Sequence, residues 1–354
     1  MDKKIKVINF SELRAGMVIA KDLEQGGRIF LKKDFSITNA AIQKLKRTLF
    51  IGKIEVYEES VTEENKISKK KLEEYTKVDE DFKEIAIRLQ RTFRLINGEK
   101  NSVLNELQEF VERIQNEIKP TSVIIKNIVL QGSGSDSVYR HGVNVAALSA
   151  LIGKWMGMKE SEINQLIYSA ILHDIGKMKI DKEVLNKNGA LTTSEFEVIK
   201  THTNLGYKAL KNISYLDKSV LYGVLMHHER EDGSGYPLGL KGDAIHKFGK
   251  IIAIADVFDA INSNRGYKKK RPPFEALQIV KTESLGKLDY EYSKVFIEHI
   301  VNYYLGEEVI LNNGEKCKIV QMNPNNLEKP LVLKSSEFID LTKEKDLYIE
   351  KLVL

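Results

Sequence analysis

The run SEINQLIYSAILHDIG, residues 161–176, ends an apolar helical stretch on a histidine followed at once by an aspartate. The run reads as a buried helix, and Gly176 sits where a C′ glycine stops one. Neighbours on a helix point about 100° apart. At a helix end, His173 and Asp174 can therefore reach two different cations, or one can ligate while the other bridges. A bridging carboxylate holds two metals about 3.5–4 Å apart, a spacing used in phosphoryl hydrolysis.

The same side-chain chemistry recurs along the chain. Of the seven histidines, His141, His173, His202, His227 and His228 sit within or at the end of apolar helical patterns. His227-His228 offers a second double reach from another helix. Asp256 lies inside the apolar run IAIADVFDA. A buried carboxylate is costly unless it is paired or metal-bound. Imidazoles clustered with carboxylates form a borderline ligand set that divalent iron, manganese, cobalt or zinc accepts. His246 and His299 fall outside this pattern and read as surface or packing residues.

Four segments follow from the patterning. Residues 1–59 form a small β-rich module with some helix, with two strands around Gly26-Gly27, an amphipathic helix over NAAIQKLKRTLF and a closing strand in GKIEVYEE. Residues 60–119 are charged, lack proline, and read as a helical connector able to dimerise. Residues 120–305 are dominated by helices. These include one over SVYRHGVNVAALSALIGKWMG, 137–157, with Trp155 a packing residue, and one opened by a Thr192-x-x-Glu195 capping box that runs through SEFEVIKTHTNLGYKALKNI. Residues 306–354 return to strands, beginning with a hairpin at Asn313-Gly314. The expected fold is mainly α, a helical bundle between two small modules.

Composition narrows the function. The net charge of +5 over 354 residues is too mild to argue for nucleic acid or membrane. The single cysteine, Cys317, reads as a strand residue; it excludes an intrachain disulfide and fits a reducing cytoplasm. No apolar core follows the basic start MDKKIKVINF, and no stretch approaches the roughly 20 apolar residues of a membrane span. The Gly/Ser-rich QGSGSDS, 131–137, lacks the pattern of a phosphate loop and reads as a loop before a helix.

His141, HDIGK (173–177), His202 with Gly206, HHEREDGSGYP (227–237) and ADVFDAINSNRGYKK (255–269) together resemble the HD-GYP family. These are HD-domain phosphohydrolases that degrade cyclic di-GMP. The resemblance covers residues 135–300. It implies a helical HD domain with two divalent metal ions, iron or manganese first, then zinc, nickel, cobalt or magnesium. His141, His173, Asp174 and Asp256 would match one ligand set, with Asp174 bridging to a second metal held by His202, His227 and His228. Lys177 matches a lysine near the scissile phosphate. Tyr236 lies in the Gly-Tyr-Pro loop, and Arg265 and Lys268 match positions holding substrate phosphates and guanine.

The chain departs from the family at three places. Ser137 replaces a glutamate that helps hold a third metal in some relatives, which favours two metals. Gly266 replaces a proline, and IHKFGK (245–250) replaces a more usual Ile-Pro and Ala-Arg pair. The implied reaction is hydrolysis of cyclic di-GMP to pGpG, GMP or both. Alternatives are a weakly catalytic cyclic di-GMP receptor or scaffold, and a phosphohydrolase acting on another cyclic dinucleotide. A homodimer and an unidentified signalling partner are compatible with the flanking modules.

Overall fold

The structure, a computed structural model, describes residues 5–9, 12–14, 17–25, 28–35, 37, 41, 42, 45, 53–57, 63–96, 100–117, 121–133, 138–187, 189–263 and 273–353. The chain divides into two compact units, Met1–Leu72 and Glu73–Leu354.

In the first unit, β1 (Ile5–Asn9) pairs antiparallel with β4 (Lys53–Tyr57), while β2 (Leu23–Gln25) pairs with β3 (Arg28–Leu31). Alternation decides which face is buried: Ile54 and Val56 point inward from β4 and join Ile8, Ile19, Leu23 and Ile37 in a small core. The strands expected around Gly26-Gly27 are present. Most of the helix expected over residues 39–50 lies outside the described residues.

The helices, in chain order, are α1 (Glu63–Leu95), α2 (Lys100–Glu117), α3 (Thr121–Gln131), α4 (Val138–Trp155), α5 (Glu160–Leu172), α6 (Lys182–Leu185), α7 (Thr193–Lys200), α8 (His202–Leu210), α9 (Lys218–Met226), α10 (Lys247–Asn262), α11 (Pro273–Glu283) and α12 (Tyr290–Tyr304). The mainly helical fold expected from the sequence is what forms. Helices α4 and α10 lie at the centre of the second unit. In α4 every residue from Arg140 to Gly153 is buried, and α10 is buried on nearly all sides. A helix apolar all round has no solvent face, so any polar side chain it carries must find a partner inside. That condition applies to Arg140, His141, Asn144, Asp256 and Asp259, all buried.

From Val78 onward α1 contributes to the same core, as does α2, through Phe82, Leu89, Phe93, Leu107 and Phe110. Across their outer faces Arg88 Nη2 donates to Glu109 at 2.6 Å and Arg113 Nη2 to Asp81 at 2.7 Å.

The expected capping box is present: Glu195 N donates to Thr192 Oγ1 at 3.3 Å, and Thr192 N to Glu195 Oε2 at 2.7 Å. The helix it opens is shorter than expected, because it breaks at Thr201 into α7 and α8. Three consecutive side chains, Thr201, His202 and Thr203, bond back to the carbonyls of Val198, Ile199 and Lys200. Such bonds compete with the backbone ladder.

The last segment is one antiparallel sheet of order β8-β7-β6-β5-β9. Its strands are β5 (Glu308–Leu311), β6 (Lys316–Gln321), β7 (Leu331–Lys334), β8 (Glu337–Asp340) and β9 (Ile349–Leu352). The turn between β5 and β6 holds Gly314 at φ +83°, a conformation suited to glycine. Cys317 is buried on β6 opposite Val309, and both belong to the core shared with the helices. His299 stacks on Trp155 with ring centroids 4.6 Å apart, a packing role for both.

Candidate metal centre

Every ligand candidate except Asp256 sits at or next to a helix end. His141 is in the first turn of α4. His173 caps the C-terminus of α5, and Asp174 follows it into a 3-10 turn, Ile175–Lys179. His202 opens α8, while His227 caps α9 with His228 after it. Asp256 projects from the middle of α10. Ligand atoms of His141, His173 and Asp174 lie within 4.8 Å of one another, as do those of His202, His227 and His228.

The two trios meet at Asp174. Its Oδ2 lies 3.3 Å from His173 Nε2 and 3.9 Å from His141 Nε2, while its Oδ1 lies 3.4 Å from His202 Nε2. Asp256 makes a second link, with Oδ1 3.0 Å from His141 Nε2 and Oδ2 4.0 Å from His228 Nδ1. The structure thus brings together all seven residues that the sequence singles out as ligands.

Backbone carbonyls fix the imidazoles. His173 Nδ1 donates to Ala170 O at 2.6 Å, His202 Nδ1 to Ile199 O at 2.7 Å and His227 Nδ1 to Val224 O at 2.8 Å. A carbonyl only accepts, so each Nδ1 carries the proton and each Nε2 keeps a lone pair aimed into the centre. His202 Nε2 and His227 Nε2 consequently face each other 3.2 Å apart, lone pair to lone pair. His141 Nε2, His173 Nε2 and Asp174 Oδ1 are buried with no hydrogen-bond partner. Facing lone pairs and orphaned acceptors at one point fit a cation.

Asp259, not singled out in the sequence, holds the fourth imidazole: its Oδ2 lies 2.7 Å from His141 Nδ1. Asn144 Nδ2 steadies its other oxygen at 2.8 Å. Asp259 follows Asp256 by three residues, one helical turn, and that spacing was the available signal.

Electrostatics agree with ligation. Burial, reinforced by neighbouring imidazoles, holds His227 and His228 well below the usual imidazole range, and burial lowers His202. These rings are therefore neutral and able to ligate at neutral pH. Burial pushes the Asp174 carboxyl up, yet the charge of Lys177 and the contact with the His173 imidazole outweigh it and keep it well below the carboxylate range. His141 differs: burial lowers it, but Asp256 and Asp259 raise it to about 9. A proton and a metal compete for its Nε2.

Gly176 has a role other than the one expected from the sequence. Helix α5 ends earlier, at His173, and Gly176 lies inside the 3-10 turn without left-handed backbone. A Cβ there would overlap His202 O and the Gly206 backbone. Its absence lets α8 approach the His173-Asp174 turn and delivers His202 to Asp174.

Lys177 Nζ lies 2.6 Å from Asp174 Oδ2. Tyr236 stacks on His228 at a centroid distance of 4.7 Å. Its loop is tied down by Tyr236 N donating to His228 O at 3.1 Å. Burial raises the Tyr236 hydroxyl well above its ordinary range, so it stays protonated. Gly235 has no room for a Cβ against the backbone of His228, Glu229 and Arg230. Sequence reasoning also missed Glu229, a buried carboxylate that accepts from Leu238 N at 2.7 Å and Leu240 N at 2.9 Å. Arg265, Gly266, Lys268 and Ser137 lie outside the described residues. His246 caps α10, its Nδ1 accepting from Phe248 N at 3.2 Å.

Comparison with known proteins points the same way. The chain is 43% identical over 164 residues to a Thermotoga maritima protein named cyclic di-GMP phosphodiesterase, covering 45% of this chain and 43% of that one. A Pseudomonas aeruginosa protein of the same name is 31% identical over 206 residues, covering 58% of this chain and 50% of that one. A Vibrio cholerae protein named as a 3′3′-cGAMP-specific phosphodiesterase is 34% identical over 189 residues, covering 53% and 43%. The chain thus spans about half the length of the curated relatives it matches. The solved structure of an HDG"Y"P protein from Bdellovibrio bacteriovorus superimposes with a TM-score of 0.53 at 16% identity, over 84% of this chain and 99% of that one, a likeness of fold. The family described as HD domain matches residues 104–291, more than half of the chain. The buried His-Asp pair that joins the two trios is therefore that of an HD domain, and the chain belongs to the HD-domain family, with the motif set of its HD-GYP type.

Proposed function

We propose that the chain hydrolyses the phosphodiester bonds of cyclic di-GMP, giving pGpG, GMP or both. The observation that carries this reading is the convergence of imidazole Nε2 atoms on the two oxygens of Asp174, each ring oriented by its own carbonyl or carboxylate. Two divalent ions, held by His141, His173, Asp174 and Asp256 and by Asp174, His202, His227 and His228, would supply Lewis-acid polarisation and water activation. Iron or manganese is the first choice for this mixed set, ahead of zinc, nickel, cobalt or magnesium.

The chain's own groups have defined tasks. Lys177 places a positive charge beside Asp174 and opposes the charge that grows on the phosphoryl oxygens. Tyr236, held neutral on the face of His228, closes the centre on one side and offers a hydroxyl donor. Arg265 and Lys268 would hold substrate phosphates and guanine. Cyclic di-GMP is favoured because the Thermotoga and Pseudomonas relatives carry its name. The Vibrio relative supports a second reading, cyclic GMP-AMP, on the same centre. Among the described residues no helix is long and apolar enough to cross a membrane, and we place the reaction in the cytoplasm.

The test is anaerobic incubation of the protein with each dinucleotide and Mn²⁺ or Fe²⁺, beside a His173→Ala/Asp174→Ala variant, with nucleotides separated by chromatography. Metal-dependent pGpG or GMP, absent in the variant, is expected. Equal turnover by the variant would sink the metal assignment. Binding without product from either dinucleotide would favour a receptor.

A further inference from the structure

Behind Asp259 the polar chain continues outward through buried groups to α1. Asn144 Oδ1 accepts from Arg140 Nε at 3.1 Å. The Arg140 fork then donates to Asn127 Oδ1 on α3 at 2.6 Å, to Asp79 Oδ1 at 3.1 Å and to Asp79 O at 3.3 Å. Arg140, Asn144, Asn127 and Asp259 are 6%, 0%, 0% and 0% exposed, and Asp79 is 8% exposed. The guanidinium also sits over the Phe82 ring of α1, 5.2 Å from its centroid. Asp79 is paired on its outer side with the exposed Lys83 at 2.6 Å. The connected series is Asp79, Arg140, Asn144, Asp259, His141.

We propose that Asp79 and Arg140 are positioning residues for the His141 side of the metal centre, so that the seating of α1 sets how tightly that side holds its ion. The proposal rests on the metal-centre reading above. A buried guanidinium needs a compensating carboxylate. Asp79 supplies it from α1, and Asp259 is another carboxylate whose charge acts on Arg140. While Asp79 is in place, Asp259 is free to accept from His141 Nδ1 and fix its ring. If Asp79 is lost, the guanidinium loses that charge partner, draws more strongly on Asp259 through Asn144 and loosens its hold on His141. The His202 and His227 rings are fixed by their own carbonyls and do not depend on this chain of groups.

The experiment titrates Mn²⁺ into chelator-stripped full-length protein by calorimetry, resolving the two binding classes, with thermal melting of the metal-free form alongside. Asp79→Asn keeps shape and removes the charge. It should weaken one Mn²⁺ class about tenfold, the lower end of what outer partners of metal ligands contribute, and leave the other class and metal-free melting close to the parent. Asn144→Ser interrupts the same chain nearer the centre and should weaken the same class. Lys83→Ala removes only the exposed partner of Asp79 and should change neither class. Unchanged affinities in Asp79→Asn overturn the proposal. So does an equal loss in both classes that follows a fall in metal-free melting, since that is a purely structural role. A parent protein that binds no Mn²⁺ overturns the metal-centre reading and this one with it. A parent with two classes, both retained in Asp79→Asn, overturns this one alone.

Discussion

Replacing Glu229 with glutamine tests whether the loop bearing Tyr236 is held by one buried carboxylate. Glu229 is 3% exposed and accepts from two backbone donors, Leu238 N and Leu240 N. Hydrogen bonds to a charged group contribute about 1.5–3 kcal/mol each, against about 1 kcal/mol for neutral ones. Glutamine has the same shape but one acceptor oxygen, so its amide nitrogen would face an N–H and that bond is lost. The surviving bond falls to the neutral value. The combined loss is about 3 kcal/mol, which raises the local opening equilibrium of the loop by about 100-fold. Hydrogen exchange read amide by amide is the direct assay. Leu238 and Leu240 should exchange about 100-fold faster in the variant, with α4 and α5 unchanged. Turnover should fall while metal content holds, because Tyr236 leaves the face of His228 and no ligand moves. Parent-like protection at both amides would refute the reasoning, as would loss of metal with the loop still protected.

Gly176→Ala should cost about 3 kcal/mol in unfolding free energy, since a Cβ there overlaps His202 O and must push α8 away. Denaturant unfolding measures it, and a parent-like midpoint would contradict the packing argument. Lys177→Ala should keep bound metal but slow hydrolysis by about 100-fold or more, the scale for removing one charge-stabilising donor; metal loss in that variant, measured by elemental analysis, would show that the lysine acts on Asp174 instead. The capping-box carboxylate of Glu195 is pulled down to about 2 from 4.5, first by Lys187 and then by the Thr192 backbone. A depressed folded-state pKa stabilises above the unfolded value and is lost as pH falls through the folded one. Urea midpoints of parent and Glu195→Gln should therefore differ by a constant amount above about pH 5 and converge between about pH 4.5 and 2; a constant gap throughout would remove Glu195 from the account.

The candidate ligands were legible because of where they fall in the chain. His173-Asp174 ends an apolar helix, His227-His228 ends another, and Asp256 interrupts a run that would otherwise be core. A polar side chain at such a place has to be compensated, and one sequence is enough to see that. Helix periods also exposed the mainly α fold, the capping-box spacing exposed the Thr192–Glu195 cap, and an Asn-Gly turn signal exposed the hairpin at Asn313-Gly314, all local features. Gly176 was misread because a glycine after a helix has a local use as a stop signal, whereas its use here is to let a distant backbone, at His202, come close. The break at Thr201 was missed because it depends on three side chains choosing the carbonyls behind them over the helix ladder.

Sequence alone determined which residues are able to bind a cation and that helices carry them, since both depend on residue type and on spacing along one element. Only the tertiary structure decided that Asp174 faces both trios, that carbonyls fix the His173, His202 and His227 rings with Nε2 inward, and that Asp259 and Glu229 hold the His141 ring and a loop. Those outcomes depend on the approach of α4, α8, α9 and α10 to the turn after α5, and that approach is set by packing between segments far apart in the chain.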